Sequence, residues 1–347
     1  MATLFFLVSG EHPTLPFSEL KAILDAESYE YHVLEKLSQV LRLKANIKCV
    51  RVVASRSALT RVCGLELFNC HANFAEIVGK MRCAPFGNIL KADESFAVRV
   101  RRVKNASPHL VCMELERKLG ELILYKVGKA RVDLTSPEKT FFGVLTQNRF
   151  IFGLKTAEIL PKPFMERSPQ KHPFFHPSAM PAKLARCMVN LAQPKTGDLV
   201  IDPFCGTGSM LVEAGLMGCR VIGLDVQRRM VRGSLRNLSK YGVKPDGMIV
   251  ADARHLPISA VDHVVTDPPY GRCATTFGLS VQQIIRDAFI SVKDKLRKEG
   301  QICMSAPKTA EISKIAEELG FKQLESHLVY VHRSLTREIG VFKRLDK

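Results

Sequence analysis

The chain has 347 residues, 46% hydrophobic and 24% charged, which suits two or three core-forming domains and excludes a disordered chain. Its 51 Lys and Arg against 34 Asp and Glu give a net charge of +17, and no apolar run is long enough to read as a membrane span. The excess is spread over both halves, 23 basic against 16 acidic residues in 1–160 and 28 against 18 in 161–347, which suggests an extended polyanion such as nucleic acid as partner; a soluble basic protein of a thermophile is the alternative.

The first thirteen residues, MATLFFLVSGEHP, lack a basic leader and a cleavage pattern, so Leu4–Val8 is predicted as a first strand. A helix is expected over Pro16–Leu24 with Ser18 as its cap. Apolar residues continue at helical spacing through Glu35–Leu43. Residues 1–55 thus form a small α/β unit without a catalytic constellation. In a second unit, 56–160, Phe96–Val100 alternates with period two, as a strand does. Glu114–Leu119 is predicted helical, ending at Gly120 as a C-cap. Strands follow at Arg131–Leu134, Phe141–Thr146 and Phe150–Leu154. Prolines at 161, 163, 169, 173 and 177 make 161–178 a stiff, extended linker.

From 179 onward strands and helices alternate. Short β-rich runs stand at Leu199–Asp202, Val221–Asp225, Met248–Asp252, His263–Asp267 and Gln301–Ser305. Helices are predicted at Ser209–Leu216, Arg228–Tyr241 and Val281–Lys298. This alternation is the pattern of a doubly wound, mostly parallel sheet. The crossover from Asp252 to His263 is too short for a long helix. Leu328–Arg333 and Glu338–Arg344 are expected to close the chain as a hairpin.

Three acids end successive predicted strands, where open α/β sheets bind ligands. Asp202 leads into Pro-Phe-Cys-Gly-Thr-Gly-Ser, a tight turn before a helix. Phe204 and Cys205 stand where a dinucleotide fold needs its first glycine, which disfavours a dehydrogenase. Asp202 can hold an ammonium group, while Gly206 and Gly208 permit close backbone approach. Asp225 can accept two ribose hydroxyls, and Asp252 an adenine amino group with the Ala253 amide beside it. The run Thr266-Asp267-Pro268-Pro269-Tyr270-Gly271 is stiffened by two residues without an N–H. Asp267 and the Pro268 carbonyl can accept both hydrogens of a base amine, with Tyr270 stacked on the base. The roles of Thr266 and Arg272 stay open.

Ten cysteines are scattered without a Cys-x-x-Cys pair, so mostly buried, reduced thiols in a cytoplasmic protein are expected. A disulfide remains an alternative. His172 and His176 have no further ligands nearby in sequence, so no metal is expected. Candidate phosphate contacts are Arg99, Arg101, Arg102, Lys104, Lys126, Lys129 and Arg149 in the N-terminal half. In the C-terminal half they are Arg228, Arg229, Arg232 and Arg236 on one helical face, with Arg333 and Arg337 near the final hairpin. Lys293, Lys295, Arg297 and Lys298 suit a helix C-terminus better than RNA.

Several of these motifs resemble known families. Asp202 to Ser209 resembles motif I of S-adenosylmethionine-dependent methyltransferases. His172 to Pro181 resembles motif X of amino-methyltransferases, with Phe175 and Pro177 as implied cofactor contacts, and the Asp-Pro-Pro-Tyr run resembles their motif IV. Phe-Ala-Val-Arg-Val-Arg, Leu-Glu-Arg-Lys-Leu-Gly and Val-Asp-Leu-Thr-Ser-Pro-Glu at 96–138 resemble a THUMP domain, a module found in tRNA-modifying enzymes. With the X–I–IV order and the stretch His332 to Arg337, nearly the whole chain resembles the archaeal tRNA guanine-10 N2-methyltransferase family.

The resemblance implies an α/β architecture: a ferredoxin-like domain (1–55), a THUMP domain (56–160), the proline-rich linker, and a Rossmann-like methyltransferase (179–347) with a seven-stranded sheet. It implies S-adenosylmethionine as cofactor and tRNA as partner, with N2-methyl- and N2,N2-dimethylguanosine at position 10 as products. A monomer is expected. Alternatives are N2-methylation of guanosine 6, adenine N6-methylation of other nucleic acid, and an RNA-binding protein with an inactive fold.

Overall fold

The structure, a computed structural model, describes residues 1–270 and 278–345; Gly271, Arg272 and Cys273 lie outside the described residues. The chain forms two units: residues 1–17, 28–55 and 60–160 make the first, and 18–27, 56–59 and 161–347 the second.

The first unit is built on an eight-stranded sheet. Its strands in chain order are β1 (Ala2–Val8), β2 (Tyr31–Leu37), β3 (Val40–Ala45), β4 (Thr60–His71), β5 (Ser95–Arg102), β6 (Arg131–Val132), β7 (Lys139–Thr146) and β8 (Arg149–Glu158). The spatial order is β2-β3-β1-β4-β8-β7-β5-β6. Strands from both sides of residue 55 share this sheet, so the expected 1–55 and 56–160 parts are continuous within it. Helices over this stretch of chain are α1 (Leu15–Ala26), which from Ser18 on belongs to the second unit, α2 (Cys49–Arg56), α3 (Phe74–Cys83) and α4 (Cys112–Val127). Ile77 and Met81 of α3 and Leu115, Leu119 and Ile123 of α4 pack on a Phe-rich sheet face carrying Phe96, Phe141, Phe150 and Phe152.

Three local expectations for this stretch of chain differ from the structure. Glu35–Leu43 is a β2–β3 hairpin, not a helix; Gln39 turns the chain at φ +58, and the outer strand alternates half-buried with exposed residues. Helix α4 continues through Gly120 because Leu115, Leu119 and Ile123 extend one buried stripe, and it is capped by Gly128 at φ +75. Ser18 lies inside α1, which starts at Leu15, where the Leu15 amide donates to His12 Nδ1.

In the second unit the strands are β9 (Leu199–Asp202), β10 (Arg220–Asp225), β11 (Gly247–Val250), β12 (Val261–Thr266), β13 (Leu296–Pro307), β14 (Phe321–His332) and β15 (Leu335–Arg344). Their order is β11-β10-β9-β12-β13-β15-β14. The pairs from β11 through β13 are parallel, and β15 runs antiparallel to both β13 and β14. Helices are α5 (Lys162–Glu166), α6 (Ala182–Leu191), α7 (Ser209–Leu216), α8 (Arg228–Lys240), α9 (Val281–Lys293) and α10 (Ile312–Glu318). Helix α9 is shorter than expected, since Leu296 already begins β13. No helix separates β11 from β12, as the short crossover predicts.

The strand order reverses beside β9, whose neighbours are β10 and β12. That switch point opens a crevice beyond the strands' carboxyl ends. Buried polar groups fix the surrounding segments. Glu213 of α7 takes Arg167 Nε at 2.7 Å and Arg186 Nε at 2.9 Å, so the proline-rich segment is pinned to the helix behind the crevice. Glu19 accepts from Ser57 Oγ, the Ala58 and Leu59 amides and Asn190 Nδ2 at 2.7–2.9 Å. This network explains why 18–27 and 56–59 group with the second unit.

Candidate active site

A cavity of about 990 Å³ opens over the carboxyl ends of β9, β10 and β12. Its walls come from these strand ends and the turns after them, from residues 176–180, and from the starts of α9 and β15. Asp202 closes β9; its Oδ1 accepts the Phe204 amide at 3.1 Å and the Thr266 hydroxyl at 2.7 Å. The carboxyl is 2% exposed, and burial pushes its pKa up to about 7 despite those two donors. Asp225 closes β10, accepting the Gly206 amide at 3.1 Å and the Gln227 amide at 2.9 Å. Burial raises its pKa also.

The glycine turn is shaped for this approach. Gly206 has φ +50 and Gly208 φ +80. A Cβ on Gly208 would stand 2.2 Å from Ser234 Oγ of α8, so glycine there lets the two helices close together. Gly206 lines the cavity, while Gly208 stands behind it, outside the lining.

Asp252, Ala253, Phe204 and Pro177 also line the cavity, but Phe175 does not; it is 46% exposed. The Asp252 carboxylate is already gripped by Arg254, through Nε at 2.9 Å and Nη2 at 2.6 Å. That hydrogen bond holds its carboxyl below the usual range. Arg254 has no signal in the sequence beyond its charge.

The Asp-Pro-Pro-Tyr turn follows β12 and enters the same cavity through Asp267, Pro268, Pro269 and Tyr270. Tyr270 hydroxyl donates to Asp267 Oδ1 and lies 2.9 Å from Ser305 Oγ of β13. Arg337 stands 3.8 Å from Asp267 Oδ2 and 5.4 Å from the Tyr270 ring centroid. Burial raises the Asp267 carboxyl, opposed first by Arg337 and then by the Tyr270 and Ser305 hydroxyls. Burial and the Asp267 charge raise Tyr270, keeping it a proton donor. Arg337, expected on a phosphate, therefore faces the Asp-Pro-Pro-Tyr turn. Ser305 was invisible to sequence reasoning because it lies 35 residues from Tyr270.

The other basic candidates divide by what they touch. On α8 the Arg228, Arg229, Arg232 and Arg236 side chains are exposed, while Val231, Ser234, Asn237 and Leu238 are buried. The helix begins beside Gln227 and Met230 of the cavity wall. Arg333 is exposed at the β14–β15 turn. In the first unit Arg101, Lys104 and Lys129 face solvent. Arg102 instead donates to the Ala106, Ser107 and Leu110 carbonyls, tying down its own loop. Arg99 donates to the Leu134 carbonyl at 2.6 Å, Lys126 to the Ala84 carbonyl at 2.8 Å, and Arg149 to Asn69. Arg297 pairs with Asp262 at 2.8 Å. His172 Nε2 donates to the Arg167 carbonyl at 3.1 Å, and no group of His, Cys, Asp and Glu among the described residues could hold a metal. The nine described cysteines are free. No helix of the described residues is long and apolar enough to cross a membrane.

An RMKL-like methyltransferase domain matches residues 169–339, and a DNA methylase family matches 89–236. A tRNA (guanine(10)-N2)-dimethyltransferase of Methanothermobacter thermautotrophicus is 38% identical over 98% of both chains. One of Methanocaldococcus jannaschii is 30% identical, covering 98% of this chain and 99% of the other. The crystal structure of TrmN from Thermus thermophilus superposes with a TM-score of 0.57 at 19% identity, covering 99% of this chain and 100% of that one; this likeness concerns the fold.

Proposed function

The chain belongs to the family of archaeal tRNA (guanine(10)-N2)-dimethyltransferases, and on that premise we propose that it methylates the exocyclic amine of guanosine 10 in tRNA. Both N2-methyl- and N2,N2-dimethylguanosine are the proposed products. The cofactor is S-adenosylmethionine, which supplies a methyl group activated on a sulfonium.

The residues of the cavity suit that cofactor. Asp202 is placed to receive its ammonium group, Asp225 its ribose hydroxyls, and Asp252 with Ala253 its adenine edge. Gly206 leaves room for close backbone approach. Asp252 is already held by Arg254, and the adenine amine is proposed to share that carboxylate.

The observation that carries the reading is Asp267 on a proline-stiffened turn in the same cavity as the three acids. The lone pair of a guanine amine is delocalised into the ring. Holding both amine hydrogens, one on Asp267 and one on the Pro268 carbonyl, turns that pair toward the methyl donor. Asp267 takes the proton that the nitrogen releases as its new bond to carbon forms. Tyr270 hydroxyl now occupies Asp267 Oδ1, so the incoming amine takes over that acceptor. Most of the acceleration comes from alignment, not from a covalent intermediate.

Arg228 and Arg232 at the rim, with Arg333, are proposed to hold tRNA phosphates. Arg101, Lys104 and Lys129 are proposed to do so in a THUMP module within 56–160. Free thiols at the nine described cysteines suit the reducing cytoplasm. To test the reading, unmodified tRNA is incubated with labelled cofactor and digested to nucleosides. Label in N2-methylguanosines, abolished by Asp267→Ala while cofactor binding persists, is the expected result. Label in N6-methyladenosine would point to the adenine alternative.

A further inference from the structure

Arg337 is a strong charge inside the cavity with no part in the chemistry above. It sits early in β15, in register with Pro307 of β13 and Val329 of β14. Its side chain is only 14% exposed. The guanidinium meets the Asp267 carboxylate, the Tyr270 ring and, at 3.3 Å from Nη1, Met180 Sδ. Nε is buried without a hydrogen-bond partner. A phosphate clamp presents its planar fork to the ligand. Here an aromatic face covers the fork and a carboxylate stands at its edge.

We infer that Arg337 is a positioning residue for methyl transfer, keeping the Asp267 carboxylate ionised from its Oδ2 side and bracing the Tyr270 ring, so that the carboxylate stays an acceptor for the amine of the target base. The inference rests on the reading that Asp267 receives the amine hydrogens. Burial disfavours the charged carboxylate, and a cation beside it opposes that cost. A neutral Asp267 would carry a proton where an acceptor is needed. Among the described residues, the groups facing this carboxylate are Arg337 from β15, Tyr270 from its own turn and Ser305 from β13. Asp202 at the end of β9 is coupled to it as a like charge.

The test compares full-length Arg337→Gln and Arg337→Lys with the wild type on unmodified tRNA. The readouts are kcat, KM for tRNA, the pH profile of kcat, and cofactor binding by calorimetry. Arg337→Gln is expected to lower kcat about 100-fold, the scale of a misaligned reacting group, with KM and cofactor affinity near wild type. Its acidic limb moves to higher pH, because a carboxylate that has lost its cation protonates sooner as pH falls. Arg337→Lys keeps the wild-type limb and recovers part of kcat, since the charge remains and the planar stacking does not.

An unmoved limb in Arg337→Gln, or a loss confined to KM with a shallower salt dependence, overturns the inference in favour of a phosphate contact. If the Gln variant fails to bind cofactor, the Lys variant decides: a wild-type limb supports the inference and a shifted one overturns it. Full turnover by Asp267→Ala would instead remove the underlying reading of the turn. An inactive Asp267→Ala beside a normal Arg337→Gln would remove only the role of Arg337.

Discussion

Asp202, proposed to bind the cofactor's ammonium group, shows how burial sets the behaviour of a carboxyl. Two hydrogen bonds favour its charged form, yet enclosure wins and the pKa rises to about 7. A cationic ammonium binds the ionised form, so cofactor binding expels a proton from a protonated Asp202. Affinity that depends on the charged carboxylate therefore falls as pH drops through this range. Calorimetry at pH 5.5 and pH 8 should show weaker binding at the lower value, with proton release visible in buffers of different ionisation enthalpy. An equal affinity at both would contradict the assignment of Asp202. Asp202, Asp225 and Asp267 were legible because each stands at a strand end followed by a distinctive turn. Arg337 and Ser305 were not, because the sheet brings them to Tyr270 from positions 67 and 35 residues away in sequence. Arg337 was read from charge alone, and charge does not say which way a side chain turns.

Helix α8 follows its sequence closely: a buried face of Val231, Ser234, Asn237 and Leu238, and an arginine face outward. Because it starts at the cavity rim, those arginines are proposed to reach phosphates near the target base. Arg228→Glu with Arg232→Glu should weaken tRNA binding at least about tenfold and reduce its salt slope by about one per lost contact. Cofactor affinity should stay near wild type. An unchanged salt slope would exclude the α8 face from the RNA interface. The elements misread from sequence share one cause. Gly120 is a natural helix stop by local preference, but a leucine stripe on either side keeps α4 going. Glu35–Leu43 has apolar residues at both helical and alternating spacing, and only pairing of β3 with β1 settles which one the chain uses. Tertiary contacts override weak local signals in both cases.

At the scale of the molecule, the parallel sheet and terminal hairpin were readable from alternating strands and helices. The division of the chain was less so, because Glu19 and Ser57 to Leu59 group with residues beyond 160 through buried hydrogen bonds rather than any motif. Cutting the chain at 160 would leave Asn190 and Arg186 without Glu19 and the Arg56 carbonyl. Buried polar groups without partners cost about 1–3 kcal/mol each. A fragment of 161–347 should therefore melt well below the full chain, a result visible by calorimetry. A fragment as stable as the full chain would show that the network contributes little. Docking by the N-terminal half is better tested by Arg101→Glu with Lys104→Glu in the whole protein. The most direct test of the central claim uses two tRNA transcripts, one with guanosine and one with inosine at position 10. Inosine lacks only the exocyclic amine. Wild-type enzyme should transfer methyl groups to the guanosine transcript and none to the inosine one. Equal labelling of both would contradict N2-methylation at position 10.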